Sequence, residues 1–407
     1  MIRIGYFFSK AKRAWTSGTF WFKFIRFLTI TVRRPFEVLI GYSHLSRADR
    51  NIDLGGGFAD HRQSQAHCRS HPEHLHRIVA AYKASKQAQQ DAALPFKIRG
   101  LWDEWISINY RTLIPALQNE DIAKLSELFE NFHREQFTTG TGGYDNYLRY
   151  RAPLGKFYIK YVWSAYRDKL LALNFDPWQA TFPMVGNPAG VMINGSVISI
   201  ETLRHAYHAI EMRDLLRDVP EASVVEIGGG LGDQAFQTVT MSQQVSKYLI
   251  FDIPEVASIS SYFLLSAFPH KRIRLFGEGP VSTEPSDEYD LAVFPHFAIS
   301  QLTPLSVDLF YNSCSFSEMD SASSREYLSI IERACRRYFM HDNHDMLLEF
   351  SEPDGSKSVN LIGSKLIPDP AAFKRIFKKP RVHGLPEDTG FVQYEYLYER
   401  ISRSGRE

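Results

Sequence analysis

The stretch Ser223-Val-Val-Glu-Ile-Gly-Gly-Gly-Leu-Gly-Asp233 carries an apolar run into an acid and then breaks into glycines. Val224, Val225 and Ile227 suit a buried parallel strand, because β-branched side chains fit a pleated surface covered on both faces. Glu226 is the odd residue of that run. Gly228, Gly230 and Gly232, with Gly229 among them, lack Cβ atoms, so the backbone can turn sharply and a ligand can come against its amides. From Asp233 a helix can begin, with the aspartate as its cap and Gln234, Ala235 and Phe236 as its first turn.

A dinucleotide loop has a similar pattern, G-x-G-x-x-G or A. Counted from Gly228 the third small residue falls on Asp233, which does not fit; counted from Gly230 it falls on Ala235, which does. The glycines alone therefore leave the ligand open. Glu226 is more informative, since a pyrophosphate gains nothing from a carboxylate just ahead of its loop, whereas a sulfonium compound carrying an ammonium group would. Downstream, Tyr248-Leu-Ile-Phe-Asp252 reads as a second buried strand, and Asp252 falls roughly 20 residues past the loop, where an acid commonly holds a ribose diol. Ile253-Pro254 ends that strand.

At 407 residues, 44% hydrophobic, the chain is long enough for two domains. Its 47 basic and 46 acidic side chains give a net charge of +1, which calls for no nucleic-acid partner. Cys68, Cys314 and Cys335 are too scattered for a disulfide framework, which points to a reducing, cytoplasmic compartment. Residues 1–40 form a basic amphipathic segment: Arg3, Lys10, Lys12, Arg13, Lys23, Arg26, Arg33 and Arg34 precede the first acid, Glu37, around the aromatic run Thr19 to Val32. That run is too short to span a bilayer. It can lie peripherally on an anionic inner membrane face or dock on the protein itself. Residues 41–200 read as a mainly helical domain, with helices at His74 to Gln90 and Asp121 to Gln136, closing in a turn-rich connector where Asn194-Gly195 suits a hairpin. The histidines near His61, His67, His71 and His74 lack a familiar zinc spacing and read as surface and capping residues, so no metal is expected there. Over residues 201–407, strands and helices alternate as a doubly wound sheet requires: a helix at Glu201 to Arg217, strands ending at His296 and in Val307 to Met319, a helix at Ser324 to Arg337, a strand at Tyr338 to His341, and a last strand ending at Arg400.

On Val225-Glu-Ile-Gly-Gly-Gly-Leu-Gly-Asp233, Phe251-Asp-Ile-Pro254 and Asp308-Leu-Phe-Tyr-Asn-Ser-Cys-Ser-Phe-Ser-Glu-Met319, the chain resembles S-adenosylmethionine-dependent methyltransferases, and within them a bacterial family of sugar O-methyltransferases. The resemblance covers about the second half of the chain and implies a Rossmann-like sheet whose last strand runs antiparallel. It also implies S-adenosylmethionine as methyl donor and a sugar hydroxyl or glycan as acceptor, often in surface polysaccharide biosynthesis. Carried over by position, Glu226, Gly228, Gly229, Gly230 and Gly232 would frame the cofactor's methionine part, Asp252 its ribose, and Asn312 would lie near the sulfonium.

A sugar hydroxyl is weakly acidic, so a general base near neutral pH would help its methylation. The candidates, in order, are Glu318, His296, and His341 with Asp342 as its orienter, each at or after a strand end. Each has a plain structural alternative: Glu318 as a helix cap, His296 as a buried histidine. Two other classes remain open on sequence, a nicotinamide-dependent oxidoreductase using the same glycine turn and a methyltransferase-like scaffold without activity.

Overall fold

A computed structural model describes residues 34–401 apart from 100, 153, 286–287, 352–355 and 382–392. The aromatic run and all but the end of the basic N-terminal segment lie outside the described residues. The centre of the molecule is an eight-stranded sheet. Its strands are β1 (Ala222–Ile227), β2 (Val245–Asp252), β3 (Ile273–Leu275), β4 (Leu291–Pro295), β5 (Val307–Ser313), β6 (Cys335–His344), β7 (Phe373–Pro380) and β8 (Gln393–Arg400). They lie in the order β3-β4-β2-β1-β5-β6-β8-β7. Pairing is parallel from β3 through to β6, and β8 runs against its two neighbours. The fold is α/β, a Rossmann-like sheet with helices before it, and its last strand is the antiparallel one.

Both faces of the sheet are covered, which explains why β1 is buried at every position. Alternation divides its side chains between two cores. Val224, Tyr248, Ile250, Leu309 and Tyr311 pack with the helices that precede the sheet, while Val225, Ile227, Leu249, Phe251 and Phe310 pack beneath the helix Ser321–Ala334. The preceding helices include α1 (Pro72–Ala88), α2 (Leu101–Asn109), α3 (Ile122–Phe129), α4 (Gly143–Arg151), α5 (Gly155–Ala172) and α6 (Ile200–Leu215). The crossovers are α7 (Asp233–Met241), α8 (Pro254–Ala267) and α9 (Ser321–Ala334). Helix α1 lies against α8, so the helical region and one sheet face share a continuous apolar core.

Several local expectations are met and some corrected. The hairpin pairs Val191–Ile193 with Ser196–Ile198, and Asn194 and Gly195 take φ of 49° and 83°, as a two-residue turn matching strand twist demands. Asp233 is not the cap of α7; Gly232, at φ 92°, holds that position, and Asp233 is the first helical residue. His61 and His67 are buried rather than on the surface, and His71 stands at the head of α1 without a side-chain bond to it. Helix α9 ends at Ala334, not Arg337, because Arg336 and Arg337 turn back to the buried Asp308 at 2.7 and 3.3 Å.

Candidate functional site

The chain leaves β1 toward β2 on one side and reaches β5 on the other, so a crevice opens between the carboxyl ends of β1 and β5, the place where ligands bind in open α/β sheets. A cavity of about 360 Å³ lies there. The glycine turn forms its floor. Gly228 takes φ 74° and its N–H donates to the Phe251 carbonyl at 2.8 Å; a Cβ there would meet the Ser315 hydroxyl at 2.5 Å. At Gly230, φ is 56° and the nearest atom to a Cβ would be on Thr141, 3.8 Å away, so the cavity has room above its Cα. Gly232 does not line the cavity. It lets the head of α7 approach α8, where a Cβ would press on Phe263 at 3.2 Å.

Four carboxyl groups surround this floor. Glu226 projects from β1 and accepts the Tyr248 hydroxyl at 2.9 Å; burial nonetheless pushes it up to about 8. Asp252, at the end of β2, accepts the N–H groups of Gly230 at 2.9 Å and Ile253 at 2.7 Å, and burial still raises it to about 7. Asp233 is raised to about 7 by burial and then by neighbouring Glu201. Glu318 is raised to about 7 by burial, although the Trp102 indole donates to it at 3.1 Å. Among the described residues, none of the four forms an ion pair with a lysine or arginine. Glu318 is free of capping because Asp320 takes that task, accepting from the N–H groups of Ala322 and Ser323 at 3.0 Å each.

The remaining candidates from sequence fall in other places. His296 lines the cavity beside Asp252, buried, with Nε2 donating to the Phe96 carbonyl at 2.7 Å; burial lowers it to about 4, so it is neutral. Its strand lies beyond β2, away from the crevice. Asn312 reaches the crevice end of β5, but below the cavity wall: its amide donates to the Ile227 carbonyl at 2.8 Å and accepts from Asn343 at 2.8 Å, stapling β5 to β1 and β6. His341 and Asp342 do not work together, because consecutive strand residues face opposite sides of a sheet. His341 is buried between Phe339 and Tyr396 on one face. Asp342, on the other, lies 2.7 Å from Arg381 Nε and 3.7 Å from His208. Neither lines the cavity.

Sequence reading missed the wall formed by α6. Glu201, Arg204 and His205 share a helical face at spacings of three and four and line the cavity, a pattern legible once the helix was placed. Arg204 bonds Glu201 at 2.7 Å, the Ser313 hydroxyl at 2.8 Å and His205 Nε2 at 2.8 Å. Burial and Arg204 hold His205 well below its usual range, hence neutral. Cys314, at the end of β5, takes φ 67°, a backbone region that costs a non-glycine residue about 1–3 kcal/mol and is concentrated at functional sites. The group with metal-ligand spacing among the described residues is His208, Glu211 and Glu395, and the Lys379 ammonium already bonds Glu211 and lies 3.1 Å from Glu395.

Sheet order, glycine turn and carboxyl-lined cavity define a doubly wound α/β protein with a cavity at the topological switch point. Solved structures similar to this chain include an S-adenosylmethionine-dependent methyltransferase from Mesorhizobium loti, 14% identical over 48% of this chain and 98% of that one, with a TM-score of 0.31. Another is the 1,6-didemethyltoxoflavin-N1-methyltransferase of Burkholderia thailandensis, solved with 1,6-didemethyltoxoflavin and S-adenosylhomocysteine bound, 15% identical over 48% of this chain and 77% of that one, TM-score 0.30. No protein-family model and no curated protein matches the sequence.

Proposed function

We propose that the chain is an S-adenosylmethionine-dependent O-methyltransferase whose acceptor is a sugar hydroxyl. The observation that carries this reading is the set Glu226, Asp233, Asp252 and Glu318, four carboxyls around a floor of bare main chain that, among the described residues, form no ion pair with a lysine or arginine. Buried acids held near neutrality favour a ligand that brings positive charge, and a sulfonium with an ammonium group brings two. A pyrophosphate would meet the same carboxyls as a like charge, which disfavours a nicotinamide dinucleotide. Asp252 is suited to a ribose diol, and the Gly230 side of the floor is open to an amino-acid moiety.

S-adenosylmethionine, when bound, supplies an electrophilic methyl group and leaves as S-adenosylhomocysteine. The chain's own residues then have two tasks, alignment and proton removal. Polar side chains along α4 and α6, among them Asn146, Glu201 and His205, can hold sugar hydroxyls in line. Glu318, poised near pH 7, takes the proton of the attacking hydroxyl. A sugar acceptor rests on this polar lining and on the resemblance carried by Asp308 to Met319.

Calorimetric titration tests the reading directly. S-adenosylhomocysteine should bind and a nicotinamide dinucleotide should not, and labelled methyl should pass to a member of a sugar panel. Binding of the dinucleotide alone would replace this function with an oxidoreductase; cofactor binding without transfer to any acceptor would favour a scaffold. No helix among the described residues is long and apolar enough to cross a membrane. The same proposal puts the basic N-terminal segment on anionic lipid, so removing residues 1–36 should release the protein from phosphatidylserine vesicles; unchanged binding would rule the anchor out.

A further inference from the structure

Helix α4 presents Asp145, Asn146 and Arg149 to the cavity, in line with Gly142 just before its first turn. Arg149 differs from the other arginines of the wall. Arg99 is paired with Asp320 at 3.0 Å, Arg204 with Glu201 at 2.7 Å and Arg381 with Asp342 at 2.7 Å, while the Lys97 ammonium bonds the carbonyls of Gln89 and Gln90. Among the described residues, Arg149 has no carboxylate within ion-pair distance, although Asp145, one turn earlier on α4, is near enough to feel its charge. Its guanidinium rests over the Tyr158 ring, 4.9 Å from the centroid, and donates to Asn146 Oδ1 at 3.3 Å; Asn146 is itself fixed by a bond to the Gly142 carbonyl at 2.6 Å. Neighbouring Asp145 is turned to the Gly140 N–H at 2.6 Å. The fork is therefore oriented, backed by an aromatic face, and retains donors for a bidentate oxyanion.

Thr141 is the nearest neighbour of the floor at Gly230, and Arg149 stands about two turns further along the chain on α4, its guanidinium reaching back to Asn146. We propose that the acceptor is an anionic sugar, and that Arg149 binds its carboxylate or phosphate at the wall of the cavity formed by α4. This rests on reading the cavity as a methyl-transfer site. A uronic acid and a sugar phosphate share the required chemistry, an oxyanion carried beside hydroxyls.

The test uses the full chain loaded with S-adenosylhomocysteine, titrated with methyl glucoside, methyl glucuronide, glucose 6-phosphate and inorganic phosphate, in the wild type and in Arg149→Gln and Arg149→Lys. The wild type should prefer an anionic sugar over methyl glucoside by about tenfold or more, the scale of one charge-assisted hydrogen bond. Arg149→Gln should erase that preference, Arg149→Lys should keep part of it, and cofactor affinity should stay unchanged in both. A stronger glucuronide arm identifies a uronate, a stronger phosphate arm a phosphoester. Absence of an anion preference in the wild type overturns the proposal, as does a preference that survives Arg149→Gln. A loss of S-adenosylhomocysteine affinity in the variant also overturns it, by moving the arginine to the cofactor's own carboxylate. Failure of the wild type to bind S-adenosylhomocysteine would instead strike the methyl-donor reading, so the two failures are distinct.

Discussion

Glu318 and Asp252 have similarly raised acidities for different uses. Asp252 is tied to the main-chain N–H groups of Gly230 and Ile253, so its carboxylate is fixed against the glycine turn and suited to holding a ligand. Asp252→Ala should weaken S-adenosylhomocysteine by about 1–3 kcal/mol, the usual value of a charged hydrogen bond, and calorimetry showing equal affinity would take Asp252 out of the site. Among the described residues the Glu318 carboxylate accepts one bond, from Trp102, and it ionises near pH 7, which suits proton transfer. Glu318→Gln should lower turnover by about 10²–10⁴ and remove the acid limb of the rate profile near pH 7 while leaving cofactor affinity in place. A variant that turns over like the wild type would clear Glu318 of base duty. Glu318 and Asp252 were both legible in the sequence because each follows an apolar run at a strand's carboxyl end. Arg149 and Trp102 were not, since no local pattern relates Trp102 to a residue 216 positions away in the chain.

At the level of elements, Asn312 shows why a residue at the right strand end need not touch a ligand. Its amide closes two buried bonds, to the Ile227 carbonyl and from Asn343, and these hold the crevice ends of β1, β5 and β6 in register. Asn312→Ala should take from both partners their short bond, leaving only the 3.4 Å contacts of the Ile227 carbonyl with Ser315 and of Asn343 with His341, and cost about 1–3 kcal/mol of stability in denaturant unfolding; an unchanged midpoint would mean the staple does not bear on the fold. The strands of the sheet centre were readable from their apolar runs, since burial on both faces leaves few polar residues in them. Strand β7 was not, because Phe-Lys-Arg-Ile-Phe-Lys-Lys-Pro (Phe373–Pro380) is an edge strand on which Lys374, Arg375 and Lys378 are exposed and only Lys379 turns in, toward Glu211 and Glu395. The boundary between α9 and β6 was misread for another reason. Arg336 and Arg337 have good helix propensity, and it is the long-range pull of Asp308 that draws them into the strand.

For the whole molecule, the four cavity carboxyls link ligand binding to pH. Glu226, Asp233, Asp252 and Glu318 ionise in the folded chain at about 8, 7, 7 and 7, above the usual carboxylic range, because burial penalises their charged forms. The folded state therefore binds more protons than the unfolded one between about pH 4 and pH 8, and the contribution of these groups, complete at the low end, is lost as pH rises through their folded values. A cationic ligand acts in the opposite sense, since it favours the ionised forms and returns what the rise in pH removed. Stabilisation by S-adenosylmethionine should accordingly grow from pH 6 to pH 7.5, with affinity improving by up to about tenfold per pH unit for each carboxyl that must release its proton. The window stops there because the ligand's own α-amino group loses its charge near pH 7.7–8.0. The increase should be steeper for S-adenosylmethionine than for S-adenosylhomocysteine, which keeps the ammonium and lacks the sulfonium. Melting temperatures measured for both ligands across this range give the comparison. If the ligand-induced shift is flat with pH, or equal for the two, the carboxyls do not meet a positive sulfur, and the argument for a methyl donor in this cavity loses its electrostatic basis.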